Sequence, residues 1–326
     1  MADRPIIIAH RGASADRPEH TLAGYRIAIA QGADFIEPDL VMTRDGVLVC
    51  RHENEISATT DVAEHPEFAE RRREKTVDGR TAAGWWTEAF TWAELSRLRC
   101  RERIPHLRTS TVAFDDQEPI PSFAQALALA RAAGVGVYPE LKHPSYFAGI
   151  GLDPTPALIA AIGEAGGQAA ADALFVQCFE IGPLRRLAQM SSLHWRCIQL
   201  IAGQGGPWDR RDLSYADMLG ELGRIAEYAV GIGAEKSLII PRDANGDLDA
   251  PTDLVARARA ANLLTHAWTF RPENHFLPQS LRSGVDQSAR GDMTSEVRAF
   301  LDAGVDGVFA DAPGLARAAL QATRRS

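Results

Sequence analysis

The chain has 326 residues, 45% of them apolar and 24% charged, which is enough apolar material for a large buried core and lacks the bias of a disordered or fibrous chain. Its net charge of −8 excludes a broad surface that tracks nucleic-acid phosphates, since such surfaces need clustered Lys and Arg; any phosphate is held locally. Length alone suggests two domains, but α/β barrels run to about 250 residues as one unit, so the chain is read as a single domain over 1–326.

The amino-terminal apolar run, Pro5-Ile6-Ile7-Ile8-Ala9, is cut off at once by His10-Arg11. It is too short for a secretory leader and reads as a strand. No run approaches the roughly 18 apolar residues of a membrane span, so no integral membrane association is expected. The expected location is cytoplasmic, or periplasmic if a leader was removed. Cys50, Cys100, Cys178 and Cys197 are far apart, with no CxxC and no zinc spacing, and are read as reduced thiols.

In chain order, short runs rich in Ile, Val and Phe predict strands at 6–10, 35–42, 47–52, 135–141, 173–179, 195–201, 228–233, 237–240, 263–270 and 305–310. Helical periodicity predicts helices at 21–31, 91–98, 122–133, 155–165, 181–190, 215–228, 252–261, 293–303 and 313–323. This alternation is the signature of a parallel sheet, and so many strands favour closure into a (β/α)₈ TIM barrel. The stretch 53–118 breaks the rhythm, is charged, and shows no clear strand. It reads as an insertion after the early strands, placed as a lid on the functional face. Within it, Arg71-Arg72-Arg73-Glu74-Lys75 is expected to be a solvated helical face.

The first strand ends in His10-Arg11-Gly12, at the carboxyl edge where barrel active sites lie. A lone histidine there is more often structural than catalytic. Phe35-Ile36-Glu37-Pro38-Asp39 puts two carboxylates at i and i+2, on the same side of a strand and about 6–7 Å apart between Cα atoms. Two acids facing an apolar interior are costly unless a cation or shared proton offsets them, and oxygen-only ligands favour Mg²⁺, Ca²⁺ or Mn²⁺ over zinc. The plainer reading pairs one acid with Lys or Arg and lets the other reach solvent. Glu140, on Tyr138-Pro139-Glu140-Leu141-Lys142, could add a third oxygen ligand or form an ion pair with Lys142. After the Asp45-Gly46 turn, an alternating strand delivers His52 near the carboxylates. His10 and His52 suit the two proton transfers of phosphodiester cleavage, because the ordinary imidazole pKa lies close to working pH.

Taken together, His10-Arg11-Gly12, Pro18-Glu19-His20-Thr21, Gly32-Ala33-Asp34, Glu37-x-Asp39, Thr43-x-Asp45-Gly46 and His52 resemble the signature of the glycerophosphodiester phosphodiesterase family. Tyr138-Pro139-Glu140-Leu141-Lys142, Val176-Gln177-Cys178-Phe179, His266-Ala267-Trp268-Thr269-Phe270-Arg271 and Gly307-Val308-Phe309-Ala310-Asp311 resemble blocks of its longer, bacterial periplasmic-type branch. The resemblance implies a (β/α)₈ barrel that hydrolyses glycerophosphodiesters to glycerol 3-phosphate and an alcohol. It implies one divalent cation, Ca²⁺ or Mg²⁺, on Glu37, Asp39 and Glu140, with His10 and His52 as the acid–base pair. Arg11 and Lys142 match phosphate-holding positions, Glu19 an active-site acid that orients a neighbour, and Trp268 a wall of the substrate pocket. Two departures stand out: His52-Glu53 replaces the family's His-Asp, and Pro-Glu-His-Thr replaces the commoner Pro-Glu-Asn-Thr.

Two rival readings follow. A phospholipase D-like barrel acting on lysophospholipids or sphingolipids would need an exposed apolar entry surface, for which Trp85, Trp86, Tyr146 and Phe147 are the candidates. A noncatalytic barrel could capture glycerophosphodiesters without cleaving them. The only partner expected is a small-molecule glycerophosphodiester; sequence leaves the oligomeric state open.

Overall fold

The computed structural model describes residues 4–323. Parallel pairing runs without a break around eight strand positions: Ile6–His10, Phe35–Glu37 continued as Asp39–Met42, Gly136–Val137 continued as Glu140–Leu141, Val176–Cys178, Cys197–Ile201, Gly231–Glu235, Leu264–Phe270 and Gly307–Ala310. The eighth strand then pairs with the first, Ile6 opposite Gly307 through Ala9 opposite Ala310, so the sheet closes on itself. This is the TIM-barrel arrangement that the alternation of elements predicts. The second and third strands are each interrupted at a proline, Pro38 and Pro139, whose missing N–H cannot join the ladder.

Strand alternation divides the barrel interior into layers. Ile8, Tyr138, Phe175, Ile198 and Phe309 form a buried apolar cluster, with Tyr138 packed on Phe175 and Phe309 at ring separations of 5.2 and 5.0 Å. Side chains two residues further along a strand point the same way. His10, Glu140, Gln177 and Asp311 therefore stand directly above Ile8, Tyr138, Phe175 and Phe309, at the carboxyl ends of their strands. The apolar floor keeps water out from beneath the acids.

Most helices form where the periodicity predicts them. Thr21 caps the helix Leu22–Ala30, and Ser122 with Gln125 makes a capping box at Phe123–Ala133. The helix predicted at 215–228 is two, Tyr215–Gly220 and Leu222–Ala226, broken at Glu221. The run 237–240 is no strand: Lys236–Leu238 is a 3₁₀ turn after the sixth strand, with Ile239 and Ile240 buried behind it. A short apolar run cannot by itself tell a strand from a packed turn.

The stretch 53–118 differs more from expectation. It contains an antiparallel hairpin, Arg73–Val77 with Arg80–Gly84, and Arg73-Glu74-Lys75 of the basic run lies in that hairpin rather than on a helical face. Arg71 ends a 3₁₀ segment, pairs with Glu94 at 2.6 Å, and lies over the rings of Phe68 and Phe90. The segment buries Ile56, Val62, Phe68, Phe90, Leu95, Leu98 and Cys100 in the same cluster as the barrel's outer wall. It is thus anchored by apolar packing that its charge content hides.

The four thiols are free and buried, and no helix among the described residues is long and apolar enough to cross a membrane. Of the four candidates for a lipid-entry surface, Trp86 and Phe147 are buried, while the half-buried Trp85 donates its indole N–H to Phe68 O and the half-buried Tyr146 its hydroxyl to Glu88. Among the described residues the exposed large apolar side chains are Val112, Ile150, Met190 and Val285, widely spaced in the sequence.

Candidate active site

Strand register assembles the site. His10 lies opposite Glu37, Asp39 opposite Glu140, and Glu140 opposite Gln177, while Asp311 immediately follows the eighth strand. The turn after the first strand is tight. Arg11 and Gly12 both have positive φ, and a Cβ on Gly12 would meet the Gly24 carbonyl carbon at 2.9 Å. That conformation turns the Arg11 backbone N–H onto Glu37 Oε2 at 2.8 Å. A non-glycine residue held in the left-handed region is strained, and such strain collects at functional sites.

Glu37, Asp39 and Glu140 converge, each offering an oxygen within 4.8 Å of the others, and all three are buried. Gln177 Nε2 donates to Glu37 Oε1 at 3.0 Å, His20 Nε2 lies 2.9 Å from Asp39 Oδ2, and Lys142 Nζ is 2.9 Å from Glu140. Asp39 Oδ1 is buried with no hydrogen-bond partner. Burial, and then the neighbouring carboxylates, push the Glu37 carboxyl well above its usual range. Burial opposes ionisation of Asp39 too, but Lys142, His52 and His20 outweigh it and hold that group low. Glu140 is pushed up to about 8 by burial, despite Lys142. The three oxygens fit a hard divalent cation: the donor set is oxygen only, mutually repulsive, and one lone pair is unused.

The two histidines flank these acids. His10 Nδ1 lies 2.6 Å from Asp311 Oδ1. His52 Nδ1 is hydrogen-bonded to Glu53 Oε1, and Lys142 Nζ lies 3.2 Å from His52 Nε2. A carboxylate on Nδ1 fixes the tautomer that leaves Nε2 with its lone pair. Burial, then the charge of Arg11, lowers His10 to about 4. Burial, Arg11 and Lys142 lower His52 to about 3, so both rings rest neutral near pH 7. Glu53 thus holds His52 Nδ1 in spite of its extra methylene.

Arg11 is buried and donates to Glu19 Oε2 at 2.8 Å, with its Nε 3.3 Å from Asp39. Glu19 itself is clasped by Arg103 at 2.6 and 2.8 Å. A cavity of about 550 Å³ opens from His52, Glu140 and Lys142 toward Phe179, Glu180, Trp208 and Tyr215, with Asp78 and Trp86 contributed by the inserted segment. Trp268 does not line it. Its ring packs edge-on against Phe179, 5.9 Å between centroids, and its indole N–H is spent on Gly233 O.

Several residues escape sequence reasoning. Asp311, though within a quoted motif, carries no role there. Arg103 and Arg108 lie far along the chain from the histidines. Arg51, fully buried, donates to the carbonyls of Thr59 and Glu19 and so ties the inserted segment to the loop that carries Glu19 and His20. The signal for Asp311 was its place at the end of the last strand, the position His10 holds on the first.

The fold and this rim of acids and imidazoles at the strands' carboxyl ends define a barrel hydrolase of phosphodiesters. Residues 10–315 match the glycerophosphoryl diester phosphodiesterase family, and the chain belongs to it. A glycerophosphodiester phosphodiesterase of Arabidopsis thaliana is 34% identical over 96% of this chain and 85% of its own length. One from Haemophilus influenzae is 29% identical over 96% and 89%. Among solved structures, an Oleispira antarctica phosphodiesterase in complex with the product sn-glycerol-3-phosphate superposes with a TM-score of 0.65 at 20% identity, covering 98% of this chain and 97% of that one. The chain is therefore an enzyme, a glycerophosphodiester phosphodiesterase.

Proposed function

We propose that the enzyme cleaves glycerophosphodiesters to glycerol 3-phosphate and an alcohol with one divalent cation, Mg²⁺ or Ca²⁺, held by Glu37, Asp39 and Glu140. The observation that carries this reading is the meeting of three buried carboxylates, one with an unpartnered oxygen, beside two histidines each held at Nδ1 by a carboxylate. When bound, the cation supplies Lewis-acid polarisation of a phosphate oxygen. The chain's own groups do the rest. Arg11 and Lys142 offset the phosphate's remaining charge and orient it. One histidine accepts the nucleophile's proton at Nε2, and the other returns a proton to the departing alcohol. An arriving phosphate anion offsets the cationic charges that depress both imidazoles, easing protonation of the one that must donate. The departing alcohol has the cavity beyond Lys142 to occupy.

The product in the Oleispira relative fits this direction of cleavage. The buried state of Trp86 and Phe147 weighs against an entry surface for long acyl chains. The test is turnover of glycerophosphocholine, glycerophosphoethanolamine and lysophosphatidylcholine before and after chelation. Loss of glycerol 3-phosphate release on chelation and its return with Mg²⁺ or Ca²⁺ is expected; full activity in the metal-stripped enzyme would overturn the reading.

A further inference from the structure

The two histidines are held in the same way from opposite sides. Asp311 gives one carboxylate oxygen to His10 and the other to Arg108, and Glu53 gives one to His52 and the other to Arg103. Each guanidinium is then anchored on a second acid: Arg108 on Glu273 at 2.7 Å, Arg103 on Glu19 at 2.6 Å. Arg108 also donates to Ser14 O at 2.7 Å, tying it to the loop that follows His10. Both arginines come from one short stretch of the inserted segment, where the backbone N–H groups of Leu107 and Arg108 bond to Ile104 O.

We infer that Arg103 and Arg108 are positioning residues, each fixing through one carboxylate the orientation and tautomer of one histidine, so that the inserted segment braces the proton-transfer machinery. The carboxylate alone is not enough, because it rotates about its own bonds and carries the ring with it. A planar guanidinium gripping its free oxygen and a second fixed acid removes that freedom. Two carboxylates already take up donors on each guanidinium, and Ser14 O takes one more on Arg108, which argues against a phosphate-binding role. Groups that orient a functional imidazole are typically worth roughly 10–100-fold, and misplacement by about 1 Å can cost 10²-fold.

This inference rests on the proposed roles of His10 and His52, and the experiment separates the two. With glycerophosphocholine as substrate, Arg108→Met and Arg103→Met should each lower kcat roughly 10–100-fold with KM changed less than about 3-fold and with Mg²⁺ affinity, measured by calorimetry, unchanged. In single-turnover assays on the His10→Ala background, adding Arg108→Met should cost less than about 3-fold more, and likewise Arg103→Met on His52→Ala, because a residue acting through a histidine has nothing left to position. An undiminished loss in the histidine-free backgrounds, or wild-type kcat in the arginine variants, overturns the brace. If His10→Ala and His52→Ala themselves keep wild-type turnover, the acid–base reading fails first. Arg108→Met leaves Glu273 without its arginine and Asp311 with Arg271 alone, 3.2 Å away; should that variant not fold, the partly exposed Arg103 decides the matter. For Arg103→Ala, millimolar ethylguanidinium should restore part of kcat, and no restoration together with a lowered melting temperature would mark a purely structural role.

Discussion

The acids of this barrel mouth fall into two sets that differ in one respect. Glu37, Asp39 and Glu140 are pressed together with fewer charges to oppose them than they carry, and one oxygen has no partner. Glu19, Glu53, Glu273 and Asp311, equally close to the chemistry, each touch an arginine. Burial raises the cost of ionisation in both sets, but in the first the protein's cations suffice only for Asp39, which Lys142 holds low, and leave Glu37 and Glu140 raised; in the second, Arg108 holds Asp311 far below its usual range, and Arg103 with Arg11 does so for Glu19. A carboxylate whose charge is balanced in the free protein is built to hold a neighbour in place. One whose charge is left over is built to receive a ligand.

The contrast breaks most visibly if the first set is disarmed. Glu37→Gln with Asp39→Asn should lower kcat by roughly 10²–10⁴, the worth of several kcal/mol of transition-state stabilisation, while chelated Glu37→Gln alone melts no lower than chelated wild type, because burial and the neighbouring carboxylates already disfavour its charge. A marked fall in melting temperature of that stripped variant would put Glu37 in the balanced set. The second set should behave oppositely. Asp311→Asn leaves Arg108 with Glu273 alone and Arg271 without its carboxylate, and should destabilise the protein by about 3 kcal/mol in denaturant titration; unchanged stability would show that these arginines need no anion there. Glu180 sharpens the comparison with the smallest effect. Burial, with added repulsion from Asp209 and Asp78, raises it to about 7 from 4.5. The folded state therefore holds a proton that the unfolded state has lost, and stability falls as pH rises from about 4.5 through 7. Glu180→Gln should flatten that fall, raising the melting temperature at pH 8 and leaving it unchanged at pH 4; an equal shift at both values would contradict the assignment.

How far the sequence discloses this molecule depends on the range of the interactions involved. The barrel was legible because each strand and helix announces itself by local periodicity, and closure follows from their number. The Glu37–Asp39 pair was legible for the same reason: the period of two places both on one side, and Glu140 follows by register on the next strand. What was not legible is long-range. Arg108 meets Asp311 across 203 positions and Arg103 meets Glu19 across 84, and nothing local in Arg-Glu-Arg-Ile-Pro-His-Leu-Arg marks these guanidiniums as different from the solvated ones nearby. The inserted segment misled for a related reason. Its charges dominate any local reading, whereas Phe68 and Phe90, well separated in the sequence, pack edge to face within the barrel's buried cluster. Trp268 belongs here too: its edge-on packing on Phe179 and its indole bond to Gly233 O join residues far apart in the chain.

The central claim is that the uncompensated acids form a site for one divalent cation. Calorimetric titration of Mg²⁺ or Ca²⁺ into chelator-stripped enzyme tests it most directly, with the Glu37→Gln/Asp39→Asn variant alongside. One ion bound per chain in the wild type and none in the variant is the predicted result. Equal binding by both proteins would place the cation elsewhere and contradict the account.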